Sequence, residues 1–203
     1  VFLFHLDYEN NIPTFYQGFK LVFVSCLVFA QIIIDFIKKN KGDIKISWFM
    51  FPLVVLFAFL ALEEVGQLHE NSDKITALLS PEMAFWYTSF FANLGYQSAA
   101  WIILYLPAFL FFSIYILLLI RRFYQGGLKN IHLFLLGIAF FALVIILEII
   151  GTHSVYFHQP PFYNYIIAME EYLEMLGASF FATFHILLLR ASIIKKREAR
   201  PQI

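Results

Sequence analysis

Residues 131–150 read Ile131-His132-Leu133-Phe134-Leu135-Leu136-Gly137-Ile138-Ala139-Phe140-Phe141-Ala142-Leu143-Val144-Ile145-Ile146-Leu147-Glu148-Ile149-Ile150. Apart from His132 at its start and Glu148 near its end, the stretch holds no titratable side chain. At about 1.5 Å per residue, twenty such residues reach about 30 Å, the thickness of a bilayer's hydrocarbon core. A surface helix of a soluble protein keeps a polar face, and this one has none. The stretch is therefore predicted to be a transmembrane helix.

Working outward, four more segments meet the same length and polarity test. The spans are expected at about 15–37, 46–64, 99–120, 131–150 and 163–189, with Pro107 as a kink in the third. Alternating ten-residue segments, the mark of a membrane β-barrel, are missing. The chain of 203 residues is 61% hydrophobic and 14% charged, with 26 phenylalanines. Soluble domains hold about 25% charged residues, and disordered chains hold fewer apolar ones, so both classes are excluded. The expected fold is an all-α, polytopic transmembrane helix bundle forming a single domain over 1–203. The apolar run Val1–Leu6 reads as the outer end of a sixth, upstream helix that is truncated here. Formal net charge is zero, which gives no reason to expect a nucleic-acid partner, and a lone Cys26 excludes an internal disulfide framework.

Zero net charge conceals a separation. Lys38, Lys39, Lys41 and Lys45 follow the first span, Arg121, Arg122 and Lys129 the third, and Arg190, Lys195, Lys196, Arg197 and Arg200 the fifth. These are twelve of the fourteen basic residues, and five alternating spans put all of them on one side. The positive-inside rule makes that side cytoplasmic, with the C-terminus inside. The 65–98 loop is then external. In it Ser80-Pro81-Glu82 marks a helix start, and the aromatic run Phe85-Trp86-Tyr87 suits an interfacial helix. Lipid is the expected surrounding partner, and a bacterial plasma membrane the expected location.

Eleven of the fourteen acids belong to the outer side. Glu148 lies roughly 27 Å along its helix, just inside the outer edge of the hydrocarbon. Glu63 and Glu64 on the second span, and Glu170, Glu171 and Glu174 on the fifth, reach about the same height. A charge at that depth costs about 1–3 kcal/mol unless paired, coordinated or facing water. At about 100° per residue Glu170 and Glu174 lie roughly 40° apart on one face, and Glu171 about 60° from Glu174. The candidate ligands of a divalent metal are Glu64, His69, Glu148, Glu171 and Glu174. Glu63, Glu70, His153, His158, Glu170 and His185 are secondary candidates. Many carboxylates and few imidazoles suit Mn, Fe or Zn. Plainer readings stand beside this one. The helix dipole favours Glu170 and Glu171 near a helix start. His153 and His158 suit a surface loop. His185, roughly 16 Å deeper than Glu174, reads as a hydrogen-bonded histidine of the bundle.

Five motifs carry a family resemblance. Glu9 with Asn11-Ile12-Pro13-Thr14 is similar to an E-x-N-(I/L)-P-T opening, and Glu63-Glu64-x4-His69-Glu70 to a D-E-x4-H-E segment. Trp101-Ile102-x2-Tyr105 and Leu147-Glu148-x2-Gly151 resemble a helix start and a helix end. Glu170-Glu171-x-Leu173-Glu174-Met175-Leu176-Gly177, the most specific, is close to E-E-x-L-E-M-L-G. Together they resemble a family of bacterial, often cyanobacterial, multipass membrane proteins of uncharacterised activity. Glu63 stands where that family usually has Asp, and the proline expected after Trp101 is displaced to Pro107. The resemblance implies a six-helix protein with an acid and histidine set on one side, and no particular reaction.

Three functional expectations follow. The first is a Glu/His metal site at the extracytoplasmic face acting on a lipid or small apolar substrate, with the Pro160-Pro161 loop and the Ser80–Leu94 segment as a lid. The second is a non-enzymatic accessory subunit of a larger membrane complex. The third is a proton or cation conduit through Glu148, Glu174 and His185. Nucleotide-binding, hydrolase and zinc-protease signatures are missing from the sequence.

Overall fold

A computed structural model describes residues 12–37, 48–66, 68, 71–96, 100–153 and 159–198. Their regular elements are helices: α1 (Ile12–Ile37), α2 (Phe51–Gly66), α3 (Ser72–Leu79), α4 (Pro81–Asn93), α5 (Ala100–Gln125), α6 (Ile131–Gly151) and α7 (Pro160–Glu198). Four are long and apolar enough to cross a membrane, over Thr14–Ile37, Leu104–Gln125, Ile131–Gly151 and Pro161–Ile194. By length and composition these four helices fit a helical membrane protein. The expected second span corresponds to α2, which has 16 residues and is about 24 Å long. Residues 38–47, where that span was expected to begin, lie outside the described residues, as do residues 1–11, where the sixth helix was expected.

Side-chain contacts give the helix directions. Ser25 on α1 donates to the Val54 carbonyl at 2.9 Å, while Gly18, earlier on α1, faces Ala61 and Val65; α1 and α2 are antiparallel. On α5, Tyr105 lies against Phe59 and the Tyr115 hydroxyl donates to the Phe49 carbonyl at 2.7 Å, so α5 also opposes α2. Lys20 reaches the Met175 carbonyl at 2.7 Å and Gln31 reaches Ser192 at 3.0 Å, so α1 and α7 are parallel. Gly137 meets Phe181 and Gly177 meets Phe141, which sets α6 against α7. The five helices thus alternate in direction as the charge pattern requires. Glu63, Glu64, Glu148 and Glu170 fall at one end, and Arg122, over the Phe49 ring at 4.0 Å, at the other.

The core repeats at the helical period. Leu21, Val24, Val28 and Ile32 line α1, Leu53, Phe57 and Ala61 line α2, and Phe181 and Phe184 line α7. Lipid is as apolar as leucine, so association within a membrane rests on close packing and on small residues that admit it. Phe134 sits among Phe123, Phe181 and Phe184 with ring centroids 5.2–5.4 Å apart. α5 keeps an outer row of exposed Leu110, Phe111, Ile114 and Leu117, and the Tyr115 bond is one of its few polar ties. Tyr115→Phe is expected to destabilise the bundle by about 1 kcal/mol, checked by denaturant unfolding in detergent micelles.

Among the described residues the 65–98 loop holds two helices, α3 and α4, where one was expected. Only α4 carries a strong start signal. The Ser80 side chain accepts from the Met83 amide at 3.3 Å, with Pro81 in the first turn. None of its residues is buried, and Phe85, Trp86 and Phe90 are exposed. α7 runs past the expected end at 189, to Glu198.

Candidate functional site

α2 ends at the same level at which α7 carries its acids. Glu64, Glu171 and Glu174 each place a carboxylate oxygen so that the three lie within 4.8 Å of one another, and all three residues are half-buried. Two oxygens on one divalent ion, each at 2.0–2.6 Å, are at most about 5 Å apart. The triad therefore has the size of a single coordination sphere. Oε2 of Glu171 is buried and has no hydrogen-bond partner. A buried carboxylate oxygen in that state loses hydration without compensation.

The positions on α7 account for this division of labour. Taking Glu170 as origin, Gly177 and Phe181 lie within about 20° of it, and both pack on α6. Glu170 likewise faces α6, with its carboxyl beside that of Glu148. Glu174 is about 40° further round and Glu171 about 100°, on the way to Met175 at about 140°, which meets α1. That intervening sector is where the end of α2 delivers Glu64. The charges that act on Glu174 are those of Glu64, Glu171, Glu63 and Glu148, so the two groups form one acidic field. Glu63 also acts on the Tyr105 hydroxyl of α5.

The remaining candidates divide clearly. Glu148 and Glu170 are neighbours of the triad, and Glu63 flanks it. His153 follows α6, pairs with Tyr96 through a β-bridge, and sets its ring edge-on to Tyr96 at 5.0 Å. His69, Glu70 and His158 lie outside the described residues. His185 is fully buried between Phe134 and Phe184. Neither of its ring nitrogens has a hydrogen-bond partner, so the expected hydrogen-bonded histidine is instead enclosed by aromatic rings.

One residue of this region escaped the sequence reading. Gln17 on α1 is fully buried, and neither its amide nitrogen nor its oxygen has a partner. Next to it, a Cβ on Gly18 would lie 4.0 Å from Cγ of Glu64. A neutral amide leaves no trace in a charge map; the available signal was a glutamine beside a glycine, one turn inside an apolar span.

Residues 2–188 match the family described as a domain of unknown function, DUF8692, and the chain belongs to that family. No curated protein and no solved structure matches it.

Proposed function

We propose that this member of the DUF8692 family is a multipass protein of a bacterial plasma membrane that holds a divalent metal, Mn, Fe or Zn, at Glu64, Glu171 and Glu174. The observation that carries the reading is the convergence of three carboxylates from two helices around a volume the size of one cation, with a buried, unpartnered Glu171 oxygen among them. A buried carboxylate oxygen without a partner, as on Glu171, is unfavourable at the edge of the hydrocarbon, and a cation would remove that cost. In this reading α2 is the second of five spans, the basic end is cytoplasmic, and the metal lies at the extracytoplasmic face. A metal at this depth meets substrates from the lipid phase, which favours a lipid or small apolar molecule over a water-borne one.

The conduit reading has less support, because Phe123, Phe134, Phe181 and Phe184 fill the bundle around His185 and offer a proton no polar step. The accessory-subunit reading needs no metal and is separated by the same experiment. Elemental analysis of protein purified in detergent is expected to show near-stoichiometric divalent metal in the wild type and loss of it in Glu64→Ala and Glu171→Ala. Metal-free wild type, or equal content in the variants, overturns the proposal.

A further inference from the structure

Gln17 lies in the sector of α1 that faces the triad. α1 meets α2 through Gly18 and Ser25, which stand about 100° and 80° from Gln17 to one side. It meets α7 through Lys20 and Gln31, about 60° and 40° to the other side. Gln17 therefore points into the wedge between α2 and α7, where Glu64 meets Glu171 and Glu174. Its height agrees, since adjacent Gly18 abuts Glu64 and Lys20, less than a turn below, reaches the residue after Glu174.

Burying an amide without a partner is unfavourable by about 1–3 kcal/mol, and a methionine or leucine would fill the same space without that loss. Two independent buried groups in one wedge, the Gln17 amide and Oε2 of Glu171, lack partners. They make no hydrogen bond to each other, and a cation between them would be bound by the amide oxygen of Gln17 and by Oε2 of Glu171 together.

We propose that the side-chain oxygen of Gln17 is a further ligand of the Glu64, Glu171 and Glu174 centre, and that it shifts the site toward Mn2+ relative to Zn2+. The inference rests on the metal reading above and adds an atom and a selectivity to it. Carboxylate and carbonyl oxygens suit Mn2+, whereas imidazole draws the site toward Zn2+. The amide also contributes no charge, so the donor set gains a ligand without adding to the acidic field around Glu174.

The test titrates the full-length protein in detergent with MnCl2 and, separately, ZnCl2, and follows metal-free melting alongside. Gln17→Met is expected to weaken Mn2+ binding about tenfold or more without lowering the metal-free melting temperature. Gln17→His is expected to retain Zn2+ and lower the Mn2+-to-Zn2+ affinity ratio by a similar factor. Wild-type binding with unchanged affinities in both variants overturns the Gln17 assignment and leaves the triad standing. A lowered metal-free melting temperature in Gln17→Met with unchanged Mn2+ affinity makes Gln17 a packing residue and also overturns it. Wild type that binds neither ion removes the centre itself.

Discussion

Gly137→Leu is expected to lower bundle stability by more than about 3 kcal/mol, and Gly177→Leu by a comparable amount. At Gly137 an added Cβ would lie 2.8–2.9 Å from three carbons of the Phe181 ring; at Gly177 it would lie 2.7 Å from Phe141 and 3.4 Å from the Gly137 carbonyl. The two glycines and two phenylalanines interlock, each ring seated on the glycine of the facing helix. Phe181 has nowhere to retreat, because its ring already packs on Phe57 at 5.0 Å, Phe134 at 5.3 Å and Phe141 at 5.8 Å. Replacing glycine by alanine would gain about 1 kcal/mol of helix propensity and lose about 1–3 kcal/mol to overpacking, so even that change destabilises. Leucine adds three more carbons to the same space. Gly66→Ala is the control: its Cβ would meet the Leu68 side chain at 3.6 Å, an ordinary contact, and the expected change is within about 0.5 kcal/mol. Unfolding in mixed micelles measures all three. A Gly137→Leu protein that melts with the wild type would show that α6 and α7 do not pack in this register.

The same glycine contacts show which parts of the fold could be read in advance. Hydropathy locates α1, α5, α6 and the membrane part of α7 because the bilayer sets a minimum apolar length, and the basic residues order the helix directions because charge at one end must repeat at every second connection. Hydropathy is silent on polar helix, so the last turns of α7, rich in Lys and Arg, and the short α3 went unseen. Heights were legible because a helix rises uniformly, and so Glu64, Glu148 and Glu174 were expected at one level. Partners were not. Glu170 and Glu174 share a face in projection, yet α6 takes the first and α2 the second, because α7 lies against two neighbours whose positions are a property of packing. The E-E-x-L-E-M-L-G segment gains a physical meaning here: its acids converge with Glu64 in the candidate site, and its glycine admits the α6 contact.

Glu174→Gln is expected to reverse the relation between stability and metal. Glu174 is the α7 acid on which the most carboxylates act, Glu64, Glu171, Glu63 and Glu148 together. Gln is nearly isosteric and uncharged, so without metal the variant no longer buries a carboxyl among other carboxyls, keeps its packing, and should melt at or above the wild type. With metal the order inverts. An ion at 100 times its dissociation constant stabilises the folded state by about 2.7 kcal/mol, and at about 0.7 kcal/mol of enthalpy per residue that moves the midpoint of a 200-residue protein by several degrees. The variant, with one anionic ligand fewer in a triad of three, should show little of that gain. Thermal melts of both proteins with EDTA and with excess MnCl2 separate the cases. Wild type raised by Mn2+ and Glu174→Gln unmoved is the expected result. Equal shifts in both would place the ion elsewhere, and a variant that melts well below wild type in EDTA would mean that the Glu174 carboxylate is held by a structural partner rather than kept for a cation.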